Sequence, residues 1–359
     1  MTETGVNLRG LRRYNRALLL GHILRSGGLS RVELAELSGL TQQAVSKIVV
    51  DLLDTELLDL ERQPSTRVGK PRTLLRIRPS ARCALGAQLD RDEFRMLRTN
   101  LAGGVEDVTE GPLPVGFTPE QAVTALAGAA RTLLAGIEPD RVLGLGVGAV
   151  GPLDHHEGRV RDATNMPGWH DVPLRDLLAE RTGLTVTLDK NTNAAAFAHA
   201  WPENAPNTTA VVLVGTGIGV GLLVDGKVYR GPRTNAGEFG HTTIAYEGPR
   251  CACGRRGCVE VMHNRAGSTE EAARRLGIGL ADLVQVLDLE RIVLFGRAVR
   301  AAPQTYLDTV AGELRELLPV PHWQRIDVEL SSLSEDAVAL GGAFEVLAGF
   351  YEAAEMTGA

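Results

Sequence analysis

Apolar positions recur at two different periods along the chain, and the change between them divides the sequence. Leu11, Leu18, Leu19, Ile23 and Leu24 share one face of a predicted helix over 11–26, which Gly27-Gly28 ends. Ser30-Arg-Val-Glu33 is a capping-box pattern and predicts a second, short helix through Leu37. After the tight turn at Ser38-Gly39-Leu40, Thr41 caps a third helix to about Leu53, with Val45, Ile48, Val49 and Leu52 inward. Two short apolar runs, 57–60 and 73–77, then pair as a hairpin. From residue 84 onward the pattern alternates. Strands are predicted over 84–89, 142–150, 185–188, 209–214, 219–224, 292–295 and 326–330, and helices over 119–135, 174–182, 193–200 and 339–352. This alternation implies an α/β fold with helices packed on a central sheet.

The first part, 1–80, reads as a winged helix-turn-helix, since two short helices meet at a glycine turn and a hairpin follows. Thr41, Gln42, Gln43, Ser46 and Lys47 give its third helix a polar outer face suited to base edges and phosphates. Between the hairpin strands lies a polar loop whose Arg67, Lys70 and Arg72 are suited to a minor groove or a phosphate clamp. Charge sharpens the division. The net charge of the 359 residues is only -6, yet residues 1–80 hold 13 Lys and Arg against 8 Asp and Glu, leaving 25 against 36 in the remainder. A basic head on an acidic body points to two tasks, the head's being a polyanion, double-stranded DNA. A helical hairpin for protein contacts is the plainer alternative.

Other classes fall away. With 44% hydrophobic and 23% charged residues the chain is globular rather than disordered. No apolar run approaches the roughly 18 residues that span a bilayer. Residues 16–25 read as a buried helix face rather than a signal-peptide core. Four cysteines, three of them within eight residues, make no secreted disulfide framework and point to a reducing, cytoplasmic setting.

Those three, Cys251, Cys253 and Cys258, together with His241 complete a tetrahedral N/S shell, the donor set of a structural zinc site. Gly254 and Gly257 permit the reversal such a shell needs, while Cys83 stands apart as a small buried hydrophobe. The loop Gly215-Thr-Gly217-Ile-Gly219 joins two strands, so it is not a dinucleotide fingerprint; it serves either as a phosphate cradle or as a structural turn. His155-His156, after Gly151-Pro152, has no third ligand nearby and reads as an exposed hairpin tip.

Gly237-Glu-Phe-Gly-His241, followed by the three-cysteine motif and Glu260, resembles the signature of the ROK family (repressors, open reading frames and kinases). Asn165-Met-Pro-Gly-Trp169, the Gly215 loop and the stretches 276–280, 292–296 and 341–344 extend the resemblance over most of 82–359. The amino-terminal reader matches the repressor branch. The resemblance implies an actin-like pair of ribonuclease-H-like lobes with sugar between them, assembled as a homodimer or homotetramer. It implies a sugar or sugar-phosphate effector held by Asn165, Lys190, Asn191, Glu238, His241 and Glu260, where Lys190 favours an acidic or phosphorylated sugar unless it is merely solvated.

The kinase positions of the family are altered. Gln88, Asp90 and Asp92 stand in the phosphate loop, where two acids would repel a triphosphate, and Asn191 replaces the catalytic base with an amide. The Gly215 loop is then a retained structural turn. Between Glu260 and Leu276 the chain is shorter than its family by several tens of residues. The implied function is a non-enzymatic regulator, a repressor of carbohydrate-related genes whose dimer reads a roughly palindromic operator. The alternatives are a sugar kinase with a regulatory head and a regulator controlled by a protein partner.

Overall fold

The computed structural model of the protein describes residues 8–62, 72–163, 166–202, 208–319 and 325–352. It opens with α1 (Leu8–Ser26), α2 (Arg31–Ser38) and α3 (Gln42–Asp54), then the antiparallel pair β1 (Leu58–Arg62) and β2 (Thr73–Ile77). The Glu33 amide donates to the Ser30 hydroxyl at 3.3 Å and the Ser30 amide donates to the Glu33 carboxylate at 2.9 Å. Gly39 ends α2 at φ +69°, and the Thr41 hydroxyl accepts from the Ala44 amide to start α3. These are the capping signals expected at those residues. A bridge between Leu29 and Leu75 ties the helices to the hairpin.

One detail of α1 differs from expectation. Its inward stripe runs through Ala17, Leu19, Leu20 and Ile23, whereas Leu11 is exposed and Leu18 only half-buried. Leu11, in the first turn of the predicted stripe, lies outside the buried face that begins at Ala17.

The body consists of two lobes of matching topology. The first is built from β3 (Cys83–Leu89), β4 (Glu93–Asn100), β5 (Val105–Pro112), α4 (Pro119–Leu133) and β6 (Val142–Ala149). A small antiparallel sheet of β7 (Leu153–Asp154), β8 (Arg159–Asp162) and β9 (His170–Val172) follows, then α5 (Leu174–Thr182), β10 (Val186–Lys190) and α6 (Asn191–Ala200). The second lobe runs through β11 (Thr209–Val214), β12 (Ile218–Val224), β13 (Lys227–Val228), α7 (Val259–Asn264) and α8 (Thr269–Leu287). It continues with β14 (Arg291–Phe295), α9 (Arg297–Ala301), α10 (Pro303–Leu317) and β15 (Asp327–Leu330). The sheet orders are β10-β6-β3-β4-β5 and β13-β12-β11-β14-β15. In each, the central strand pairs antiparallel with its successor and parallel with a later strand. This duplication is the two-lobed, ribonuclease-H-like architecture that was expected.

The chain then returns to the first lobe through α11 (Ala337–Tyr351), which packs on β3, β6 and α6. Contact here is backbone against backbone. A Cβ at Gly86 or at Gly146 would lie 1.9 Å from the carbonyl oxygen of Ala339 or Gly342 respectively, and one at Gly341 would lie 1.8 Å from that of Ala194. The far end of α11 places Phe344, Leu347 and Tyr351 in one apolar cluster with Leu19, Leu20 and Ile23 of α1. Reader and body therefore share a core. No helix among the described residues is long and apolar enough to cross a membrane.

Gly146→Ala has no room for its methyl group and is expected to destabilise the protein by about 1–3 kcal/mol or more. A urea denaturation midpoint equal to that of the parent would show that α11 can lift off β6 and that the contact is not a constraint.

Candidate functional site

The outer face of α3 is open. Thr41, Gln42, Gln43, Ser46 and Lys47 are all exposed, while Val45, Val49 and Leu52 on the opposite side are buried. Arg72, at the base of the wing, is exposed but ion-paired with Glu33 of the capping box. That guanidinium holds the Glu33 carboxyl down at about 2, with Ser30 adding to the effect. Arg67 and Lys70 lie outside the described residues. Beside α3 runs a groove of about 750 Å3, walled by α1, α3 and the end of α11 and lined by Arg12, Arg13, Arg16, Lys47, Ile48 and Phe350. Arg16 is paired with Asp51, whereas Arg12, Arg13 and Lys47 form no ion pair among the described residues. The sequence reading did not single out Arg12 and Arg13, because nothing in a helical pattern shows that they border the recognition helix.

Between the lobes, Lys190, Asn191, Glu238, His241 and Glu260 line one cavity together with the Gly217 hairpin. Five of the six residues expected at an effector site thus converge, and Asn165 lies outside the described residues. The cavity holds only about 50 Å3, well short of a usual small-molecule pocket. The Glu260 carboxylate accepts from the Ile218 amide at 2.9 Å, and a Cβ on Gly217 would sit 2.8 Å from the same oxygen. That close approach is what the glycine hairpin is needed for. Asn191 begins α6, its side-chain oxygen accepting from the Thr192 amide at 2.8 Å.

Lys190 is not solvated, which corrects that expectation for it. It is 3% exposed, and its ammonium donates to the Glu238 carboxylate at 2.5 Å and to the Ala236 carbonyl at 2.9 Å. Its buried neighbour Asp189 accepts from the Lys190 amide at 2.7 Å, from Asn193 at 2.9 Å and from Arg230 at 2.6 Å. Arg230 also reaches Glu345 of α11 at 2.6 Å. Burial, together with the nearby Asp189, pushes the Glu345 carboxyl up, against the pull of Arg230.

His155 and His156 sit in the turn of the β7–β8 hairpin, as expected, but only His156 is exposed. His155 is half-buried, with Nδ1 donating to the Leu188 carbonyl at 2.8 Å and its amide donating to the Thr234 hydroxyl at 3.0 Å. Asp90 and Asp92, expected as bare charges opposing a triphosphate, are both bonded across the cleft.

His241, Cys251, Cys253 and Cys258 place one nitrogen and three sulfurs within 4.8 Å of one another. His241 Nδ1 lies 3.6 Å from Cys251 Sγ, and Cys253 Sγ lies 3.6 Å from Cys258 Sγ. A tetrahedron with metal–sulfur bonds of about 2.3 Å has edges of about 3.8 Å, so the four atoms fit the shell of a metal ion. The local chain is built for this. Gly254 and Gly257 take φ values of +89° and +60°, and a Cβ on Gly257 would lie 1.7 Å from the Ala245 carbonyl oxygen. Cys258 directly precedes α7, which carries Glu260, and His241 lines the cavity. The Cys/His cluster and the cleft therefore share a frame.

Comparison with known proteins agrees with this geometry. A model of the ROK family matches residues 115–267 and a model of the MarR family matches residues 12–67. The xylose repressor of Caldicellulosiruptor bescii is 24% identical over 92% of this chain and 94% of its own length. Among solved structures, a ROK-family transcriptional regulator described as a homologue of the E. coli MLC protein superposes with a TM-score of 0.77 at 20% identity, covering 96% of this chain and 98% of the other. The ROK hexokinase of Thermus thermophilus gives a TM-score of 0.60 at 30% identity, covering 73% of this chain and 96% of its own.

Glu238→Ala would leave the Lys190 ammonium buried without its carboxylate, at an expected cost of about 3 kcal/mol. The double variant Lys190→Met, Glu238→Leu should recover most of that loss. Thermal denaturation of the three proteins checks this, and a single variant as stable as the parent would show that the pair is not coupled.

Proposed function

The chain belongs to the ROK family, and from that premise we propose that it is a DNA-binding repressor of carbohydrate-related genes, released by a sugar in the cleft. The observation that carries this reading is the open polar face of α3, with Gln42, Gln43, Ser46 and Lys47 exposed on a capped recognition helix. Residues 1–80 form the reader and 82–359 the sensor. Gln42 and Gln43 are suited to adenine edges, and Ser46, Lys47 and the wing arginines to phosphates and bases. Relatives described as xylose repressors match over nearly their whole length, which supports the same role here.

The cleft acts as a sensor rather than a catalyst. Asn191 stands where family kinases carry their base, and an amide accepts no proton from a sugar hydroxyl. Because Lys190 is neutralised by Glu238, a neutral sugar fits this cleft better than a sugar phosphate. Asn191, Glu238, His241 and Glu260 supply the hydroxyl partners, with Asn165 completing the set. The cluster of His241 and three cysteines holds zinc, whose role is to fix the Glu238–Glu260 frame. A homodimer reading a two-fold operator links effector and DNA reciprocally.

Operator fragments found by mapping bound genomic sites provide the test. Lys47→Ala should weaken operator binding about tenfold and lower its salt dependence by about one counterion. A panel of neutral aldoses should contain one that weakens operator binding, while its phosphate does not. Sugar-dependent ATP turnover would overturn the reading in favour of a kinase, and indifference to every sugar would favour control by a protein partner.

The purified protein should carry one zinc ion per chain. Cys258→Ser should lose it and melt at a lower temperature, whereas a metal-free protein of unchanged stability would dismiss the zinc assignment.

A further inference from the structure

The turn between β3 and β4 is Asp90-Arg91-Asp92-Glu93, and each of its four side chains bonds to the second lobe. Asp90, 4% exposed, accepts from the Thr216 hydroxyl at 2.6 Å. Arg91 donates to the Thr216 carbonyl at 2.9 Å. Arg297, the first residue of α9, grips Asp92 with both terminal nitrogens at 2.8 and 2.9 Å and reaches Glu93 at 2.9 Å. The bidentate guanidinium holds the Asp92 carboxyl below its ordinary range, as expected of a fixed pair rather than a chance encounter of surface charges. Two separate elements of the second lobe, the Gly217 hairpin and the start of α9, thus converge on a single turn of the first.

The consequences appear on either side of this turn. Arg297, Asp90 and Asp92 line one space of about 490 Å3, while Arg91, Thr216 and Gly217 line the 50 Å3 effector cavity. Two of the residues that bridge the lobes, Arg91 and Thr216, thus also border the cavity that is too small for a pyranose. A sugar can enter only if the lobes part, and parting them breaks these bonds.

We propose that Asp90, Arg91, Asp92 and Glu93, with Thr216 and Arg297, form a clasp that holds the two lobes together across the cleft, so that effector entry requires this clasp to open. The proposal extends the sensor reading given above, yet it concerns the contact between the lobes and is testable without any sugar. Because half of the clasp, the pairing of Arg297 with Asp92 and Glu93, consists of partly exposed ion pairs, salt weakens it.

The experiment uses the full-length protein and the variants Arg297→Ala and Asp92→Asn, with Arg274→Ala as a control. Arg274 pairs with Glu313 inside the second lobe and does not bridge the cleft. Small-angle scattering reports the separation of the lobes, and hydrogen exchange reports the amides of residues 90–93 and 215–219. The clasp variants should expand and exchange at least tenfold faster at both segments at low salt, and the parent should approach them at high salt. The control should behave like the parent. If a sugar that binds is found, its apparent affinity should rise several-fold in Asp92→Asn, because the competent open state is more populated. Clasp variants with the parent's dimensions and exchange rates would overturn the proposal, whether or not the protein binds sugar. Should Arg297→Ala fail to fold, Asp92→Asn alone decides between these outcomes, since it keeps the size of the side chain.

Discussion

The arrangement of this protein depends on how closely α11 lies against its neighbours. Gly86, Gly146 and Gly341 place main chain on main chain, at separations where a single methyl group would collide with a carbonyl oxygen. Such contacts leave a helix no freedom to shift sideways, because interiors at this density transmit displacement rather than absorb it. The same helix ends in the apolar cluster of the reader, where Leu347 and Tyr351 join Leu19, Leu20 and Ile23. Midway along it, Glu345 is gripped by Arg230, which also holds Asp189 at the edge of the cleft. A helix that is rigidly seated, tied through Arg230 to Asp189 and shared at its end connects the first lobe to the amino-terminal helices.

Arg230 and Glu238 belong to one connected segment between β13 and the Cys/His cluster. That segment makes Arg230–Asp189, Thr234–His155, Ala236–Lys190 and Glu238–Lys190 contacts before reaching His241. Its grip on the first lobe is entirely polar. A ligand that takes Glu238 as a partner competes with Lys190 for it, and so acts on this segment first. The burial of Asp189, Lys190 and Glu345 raises the cost of any half-made arrangement, which favours discrete states over gradual ones.

Much of this could be read from the chain itself, and the limit is physical. Ser30, Gly39 and Thr41 marked their helix boundaries because capping is local chemistry. The strand Thr209–Val214 and the helix Leu174–Thr182 were placed to the residue by periodicity and flanking turns. The cysteine cluster was legible because ligand chemistry restricts residue type and spacing together. By contrast β4 was missed, since Glu93, Arg95 and Arg98 interrupt its apolar alternation to serve ion pairs that sequence does not display. α8 was missed because Gly277 and Gly279 lie within it, where the backbone is approached by Glu313 and Phe239. The partners of Lys190, Asp92 and His155 were illegible for a shared reason. Each lies tens to hundreds of residues away, and a side chain's neighbours across a fold leave no local periodicity.

The charge division between head and body also changes meaning once pairs are assigned. Pairing inside the reader leaves the excess of positive charge in residues 1–80 in place but fixes part of it locally. Arg16 pairs with Asp51, Arg72 with Glu33, Arg76 with Glu61, and Arg78 with Glu56 and Asp59. These pairs brace helices and wing, and being partly exposed they contribute modestly to stability. Among the described residues Arg12, Arg13, Arg25, Arg31, Lys47 and Arg62 form no ion pair, and three of them, Arg12, Arg13 and Lys47, are gathered along one groove beside the open face of α3. Since a screened field falls off within about 10 Å, the potential beside α3 is set by this cluster more than by the sum over the head.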